Sequence, residues 1–155
     1  MNLYRIAKQA FADDLSGEGA RLYGGRWNRQ GVAALYTSES IALAAMEVLV
    51  HVAAADLPDD LQLVTIHVPD DAAMNVIQPE ELPEGWRQYP PPVIVSEMGT
   101  QWLEKREKLL LRIPSVVIPR EWNVLLNPKN PEFTSVKILS VEPFGFDKRL
   151  KKVSG

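Results

Sequence analysis

A carboxylate in the middle of an apolar helical run is the first residue to explain. Glu47 sits within IALAAMEVLVHVAA, where its neighbours one turn away in both directions are mostly apolar. An ionised group in such a place is costly unless it is paired or reaches a polar cleft. His51 lies four residues on, and so on the same helical face. Two readings stay open: a solvated stripe, or a stripe facing a polar cavity. Upstream, YGGRWNRQG (residues 23–31) sets Arg26 behind two glycines and ahead of Trp27. Glycine tolerates close approach of the backbone, and a guanidinium is a planar fork that fits phosphate or carboxylate. An anion site is the sharper reading of this loop; a surface salt bridge is the plainer one.

Other chemistries find less support. Glu47 and His51 have the spacing of a two-ligand metal face, but the only other histidine is His67, in a strand-like segment, and there are no cysteines. A metal site is therefore rejected. Gly17-Glu18-Gly19 begins like a dinucleotide fingerprint and lacks its third glycine. No G-x-S-x-G elbow is present. A hydrolase pairing Glu47 with Asp13 or Asp14 stays open. Tyr36 reads equally as a core tyrosine with its hydroxyl at the rim, Ser115 as a turn hydroxyl, and the four tryptophans as packing residues.

These residues need elements to position them. Residues 2–6 read as a strand, 10–31 as loop and 32–36 as a buried strand. Thr37, Ser38 and Ser40 offer capping hydroxyls to a helix from about Glu39 to Ala54. Residues 61–68 alternate as a strand, and the proline-rich 79–92 reads as a long ordered surface loop. A helix is expected over 96–107, two strands broken at Pro114 over 108–118, and a last strand over 134–143. Lys148, Arg149, Lys151 and Lys152 make a basic tail. Strands dominate without clean alternation, which predicts an α+β fold with mixed or antiparallel sheets.

The 155 residues suit one domain, with its core over about 3–145 and the tail over 146–155. A hydrophobic content of 46% supplies a core. The net charge of −3 argues against binding nucleic acid by bulk electrostatics. The N-terminus lacks the features of a signal peptide, and the apolar run near 41–55 is too short and polar to span a bilayer. A cytoplasmic protein without direct nucleic-acid or membrane contact is expected.

Taken in order, LYRIA (3–7), YGGRWNRQGVAALYTSESIALAAMEVLVHV (23–52), MGTQWL (98–103) and RIPSVVIPREWNVLLNPKNPEF (112–133) resemble the RES domain family. The family takes its name from an arginine, a glutamate and a serine. The resemblance maps these to Arg26, Glu47 and Ser115 as catalytic residues. Ser38 is the alternative serine, as a helix cap or ligand contact. Gly25, Tyr36, Ser38 and Asn127 join Arg26 as ligand-binding residues. Asn130 departs from the family, which often has histidine there. The resemblance implies a fold similar to ADP-ribosyltransferase toxins and a toxin paired with an Xre-type helix-turn-helix antitoxin. It implies NAD⁺ as substrate, with no prosthetic group: hydrolysis or phosphorolysis at the nicotinamide–ribose bond, or ADP-ribosyl transfer to a protein. An inactive binding module, with Arg26 and Glu47 as a buried ion pair, is the rival. A homodimer is a family expectation only.

Overall fold

The computed structural model describes residues 1–52 and 56–151. Its frame is a seven-stranded sheet: β1 (Asn2–Lys8), β2 (Leu35–Ser38), β3 (Leu61–His67), β4 (Met74–Val76), β5 (Leu110–Pro114), β6 (Trp122–Leu126) and β7 (Lys137–Pro143). Their spatial order is β4-β5-β6-β2-β1-β3-β7. Every neighbouring pair is antiparallel except β4–β5, which is parallel. Among the described residues three α-helices join it: α1 (Glu18–Tyr23), α2 (Ile41–His51) and α3 (Val93–Lys105). The expected α+β class with a mixed sheet is what the chain forms.

Alternation along the strands divides the core in two. Leu3, Leu35, Val64, Ile66, Leu110, Val124 and Leu126 pack on one face, covered by loop and 3₁₀ residues such as Ala12, Phe133 and Val136. Ala34, Leu111, Ile113 and Leu125 pack on the other, against Trp27 and the Val95–Leu103 side of α3. Trp27 is 3% exposed, a packing residue that seats its loop under α3. Gly99 makes this contact possible, since a Cβ there would sit inside the van der Waals surface of the Trp27 carbonyl oxygen.

Three local effects move elements from their expected places. Asn28 Nδ2 donates to the carbonyl oxygens of Ala20 (2.8 Å) and Val32 (3.0 Å), so the strand starts at Leu35 rather than at residue 32. The loop reading of 10–31 misses α1, which Arg21 and Glu18 brace one turn apart with bonds of 2.7 and 2.6 Å. The Val116–Ile118 run is a turn rather than a strand. Ser115 Oγ accepts the amides of Val117 and Ile118, both at 3.1 Å, and the chain re-enters the sheet at Trp122.

Helix α2 starts where Ser40 accepts the Leu43 amide at 3.1 Å, and Val52 after it is extended. The expected continuation through Ala54 lies outside the described residues, as does Lys152 of the tail. The short β4 was not expected from the sequence.

Gly99→Ala is expected to lower unfolding free energy by about 1–3 kcal/mol through overpacking. Urea denaturation of the variant against wild type measures it.

Candidate functional site

Strand β2 places Tyr36 and Ser38 on one sheet face, and the β2–β6 register sets them opposite Leu125 and Asn123. Helix α2, entered directly after β2, packs on β1 and β2 and brings Glu47 to the same region. The Glu47 carboxylate is half-buried, and its Oε1 accepts two bonds. Ser115 Oγ donates at 2.8 Å and Asn123 Nδ2 donates at 2.7 Å. Behind them, Ser38 Oγ donates to Asn123 Oδ1 at 2.6 Å. Both candidate serines therefore enter one network, Ser115 directly and Ser38 through Asn123. The helix cap foreseen for the hydroxyls of this segment is supplied by Ser40.

Ser115 is fully buried and its hydroxyl is saturated. It accepts two amides and gives its only hydrogen to Glu47. Its one hydroxyl hydrogen is thus committed to Glu47.

Arg26 approaches from the glycine loop. Its Nη1 donates to the carbonyl oxygens of Trp86 (2.9 Å) and Gln88 (3.1 Å), so the proline-rich segment serves as the ordered loop expected of it. Burial holds the guanidinium below its ordinary pKa, while the charge of Glu47 and the nearby Tyr36 and Tyr89 act the other way. Arg26 and Glu47 thus share an electrostatic field without forming an ion pair, each being held by other partners. That geometry removes the buried ion pair on which the inactive-module reading rested.

Tyr36 ties the arginine loop to the sheet. Its hydroxyl donates to Asn28 Oδ1 at 2.6 Å and accepts the Trp27 amide at 3.0 Å. A Cβ on Gly25 would lie 2.7 Å from that hydroxyl and 2.9 Å from Asn28 Oδ1. The space where a side chain would stand at Gly25 is thus filled by Tyr36 and Asn28. Burial pushes the Tyr36 phenol well above its usual range, partly offset by the Trp27 amide and the Arg26 charge.

Other candidates fall elsewhere. Asn127 follows the far end of β6, four residues from Asn123; Nδ2 donates to the Leu103 carbonyl (2.8 Å), and Oδ1 accepts the Lys129 amide (3.1 Å). The first of these bonds ties the end of β6 to the end of α3. Asn130 likewise holds the Arg106 carbonyl at 2.8 Å and caps the 3₁₀ turn after it. Asp14 accepts the Ser16 amide beside Arg5, apart from the Glu47 network, so it does not form the carboxylate pair considered above. His67 stands across from Asn2 on the β1–β3 ladder, and His51 is exposed. Asn123 and Asn28 are the residues that sequence reasoning left without a functional role. Their signal was an asparagine at a strand start and another inside the glycine loop.

Comparisons with known proteins give the family and the fold. The RES domain family model matches residues 2–147. "Toxin Res" of Yersinia enterocolitica is 41% identical over 154 residues, covering 97% of this chain and 100% of that protein. "Prs ADP-ribosylating toxin" of a Sphingobium species is 41% identical over 154 residues, covering 96% of each. Among solved structures, a chain from the M. tuberculosis MbcT–MbcA toxin–antitoxin complex superposes with a TM-score of 0.74 at 20% identity. The match covers 92% of this chain and 83% of that one. The two chains share one fold over that length.

Tyr36→Phe strands the Trp27 amide and should cost about 1–3 kcal/mol of stability, read by urea denaturation at pH 7. A phenol whose folded pKa is raised contributes its stability in full below the unfolded value, about pH 10. That contribution is lost as pH rises from there toward the folded value. Wild-type stability should accordingly fall more steeply above about pH 10 than that of Tyr36→Phe.

Proposed function

This chain belongs to the RES domain family, and from its site we propose that it is a toxin that cleaves NAD⁺ at the nicotinamide–ribose bond. The observation that carries the reading is Glu47: a half-buried carboxylate gripped through one oxygen by Ser115 and Asn123, with the Arg26 cation in its field but not paired to it. Breaking a glycosidic bond builds positive charge on the ribose, as in other oxocarbenium-like transition states. A carboxylate fixed beforehand stabilises that charge without reorganising at the moment of reaction. Glu47 Oε2, which takes neither of the two network bonds, is the atom offered to the ribose.

Arg26 supplies the anion site. Two backbone carbonyls occupy Nη1 and leave the rest of the fork for the pyrophosphate, where charge-assisted bonds are strong. The Tyr36 ring packs with the Trp27 side of the core and forms the wall for nicotinamide, its hydroxyl already committed to the loop. The acceptor of ADP-ribose is water or inorganic phosphate. Transfer to a protein is the second reading, favoured by the Sphingobium relative, an ADP-ribosylating toxin by name. In this scheme the partner is an Xre-type helix-turn-helix antitoxin that covers the site and carries the DNA contact, which a chain of net charge −3 is poorly suited to make. The pool consumed is the cytoplasmic one. Among the described residues, no helix is long and apolar enough to cross a membrane.

The test is nicotinamide release from NAD⁺, with and without phosphate, and with a protein acceptor in a third arm. Glu47→Gln should lower kcat roughly 10²–10³-fold with the fold retained. Arg26→Ala should act chiefly on KM. Undiminished release by Glu47→Gln removes the glutamate from the mechanism, and no release by wild type in any arm removes the reading.

A further inference from the structure

Asn123 is a half-buried strand residue between two of the groups just described. A carboxylate can only accept hydrogen bonds, so the nitrogen of the Asn123 amide must be the end that faces Glu47. Its oxygen then faces Ser38, and the Ser38 hydroxyl must donate. The three residues form a one-way chain from Ser38 to Asn123 to Glu47 Oε1, with bonds of 2.6 and 2.7 Å. Ser38 and Asn123 are direct partners across the β2–β6 ladder, so the chain rests on sheet rather than on loop.

We propose that Asn123, oriented by Ser38, is a positioning residue that decides which oxygen of Glu47 meets the ligand. Oε1 is occupied by two donors, Asn123 and Ser115, and Oε2 is turned toward the substrate. The proposal deepens the reading of Glu47 as the ribose-stabilising carboxylate and rests on it. It also distinguishes the two donors. Ser115 belongs to a turn that it holds together itself, through the Val117 and Ile118 amides, so its bond to Glu47 moves with that turn. Asn123 has its Cα fixed by the ladder and its amide plane fixed by Ser38. It therefore sets the angle of the carboxylate relative to the sheet, which also carries Tyr36.

Asn123→Asp is the discriminating variant. It keeps the size of the side chain and still accepts from Ser38, but it exchanges the amide donor for a second carboxyl group that must either repel Glu47 or share one proton with it. Loss of a charge-assisted bond should lower kcat roughly 10–100-fold while KM for NAD⁺ stays within about threefold. Ser38→Ala leaves the asparagine in place with its amide free to turn, and should give a smaller fall in kcat, again with KM held. A second readout needs no turnover. In ¹⁵N-labelled protein the side-chain amide signal of Asn123 should move in both Glu47→Gln and Ser38→Ala. Circular dichroism confirms that each variant folds.

An Asn123 amide signal that ignores Glu47→Gln overturns the proposal. So does a rise in KM with kcat unchanged, which would make Asn123 a ligand contact, and so does wild-type kcat in folded Asn123→Asp. If wild type releases no nicotinamide, the NAD⁺ reading falls. The amide signal then still decides whether Asn123 holds Glu47.

Discussion

One oxygen atom, Glu47 Oε1, joins four separately folded parts of the chain. It stands on α2, accepts from the turn after β5 and from β6, and through Asn123 is tied to β2. A half-buried carboxylate without donors is strongly disfavoured, so the helix settles only where both donors reach it. The constraint propagates outward. The Ser115 turn must fold tightly enough to aim its hydroxyl, β6 must keep the register that sets Asn123 opposite Ser38, and α2 must begin immediately after β2. Arg112 reinforces that beginning: its guanidinium forks onto Glu39 at the β2–α2 junction and stacks on Trp122 at 4.2 Å.

A second polar assembly holds the cation. Asn28 is 1% exposed and takes the carbonyls of Ala20 and Val32 with its nitrogen while its oxygen accepts from Tyr36. A loop rich in glycine would otherwise sample many conformations; here its exit is bonded to the loop's own carbonyls and, through Tyr36, to the sheet. Among the described residues no buried side-chain nitrogen or oxygen lacks a partner. Partly satisfied polar networks are costly and fully satisfied ones are rigid. Neither network leaves a buried polar side-chain atom without a partner.

Local pattern was enough to single out Arg26, Glu47 and the helix that carries Glu47. An arginine after two glycines and a glutamate in an apolar run are anomalies within their own windows. The supporting residues are not anomalies. Asn123 and Ser38 are 85 residues apart in sequence, and nothing near either one predicts the pairing register that joins them. The Val116–Ile118 run has the composition of a strand, and one serine hydroxyl overrides it by bonding two of its amides. Asn127 is the converse case. It stands among apolar strand residues much as Asn123 does, yet four residues along β6 carry it to a different set of backbone partners. Resemblance could mark the asparagine as notable but could not say what its amide touches.

The two assemblies meet on a single short strand. Tyr36, which anchors the arginine loop, and Ser38, which orients the holder of Glu47, are two residues apart on β2 and face the same way. Strand geometry fixes their spacing at roughly 6.6 Å. The anchors of cation and carboxylate are thereby set by backbone rather than by attraction between the charges themselves. Left to side-chain preference, Arg26 and Glu47 would gain by closing into an ion pair, and a paired site has little field left for a ligand. Trp86 and Gln88 carbonyls on one side and Ser115 and Asn123 donors on the other prevent that collapse. What remains is a pair of opposite charges held apart and already ordered. In the proposed reading this suits a molecule with an anionic middle and a ribose that becomes cationic in the transition state, since neither charged group need move.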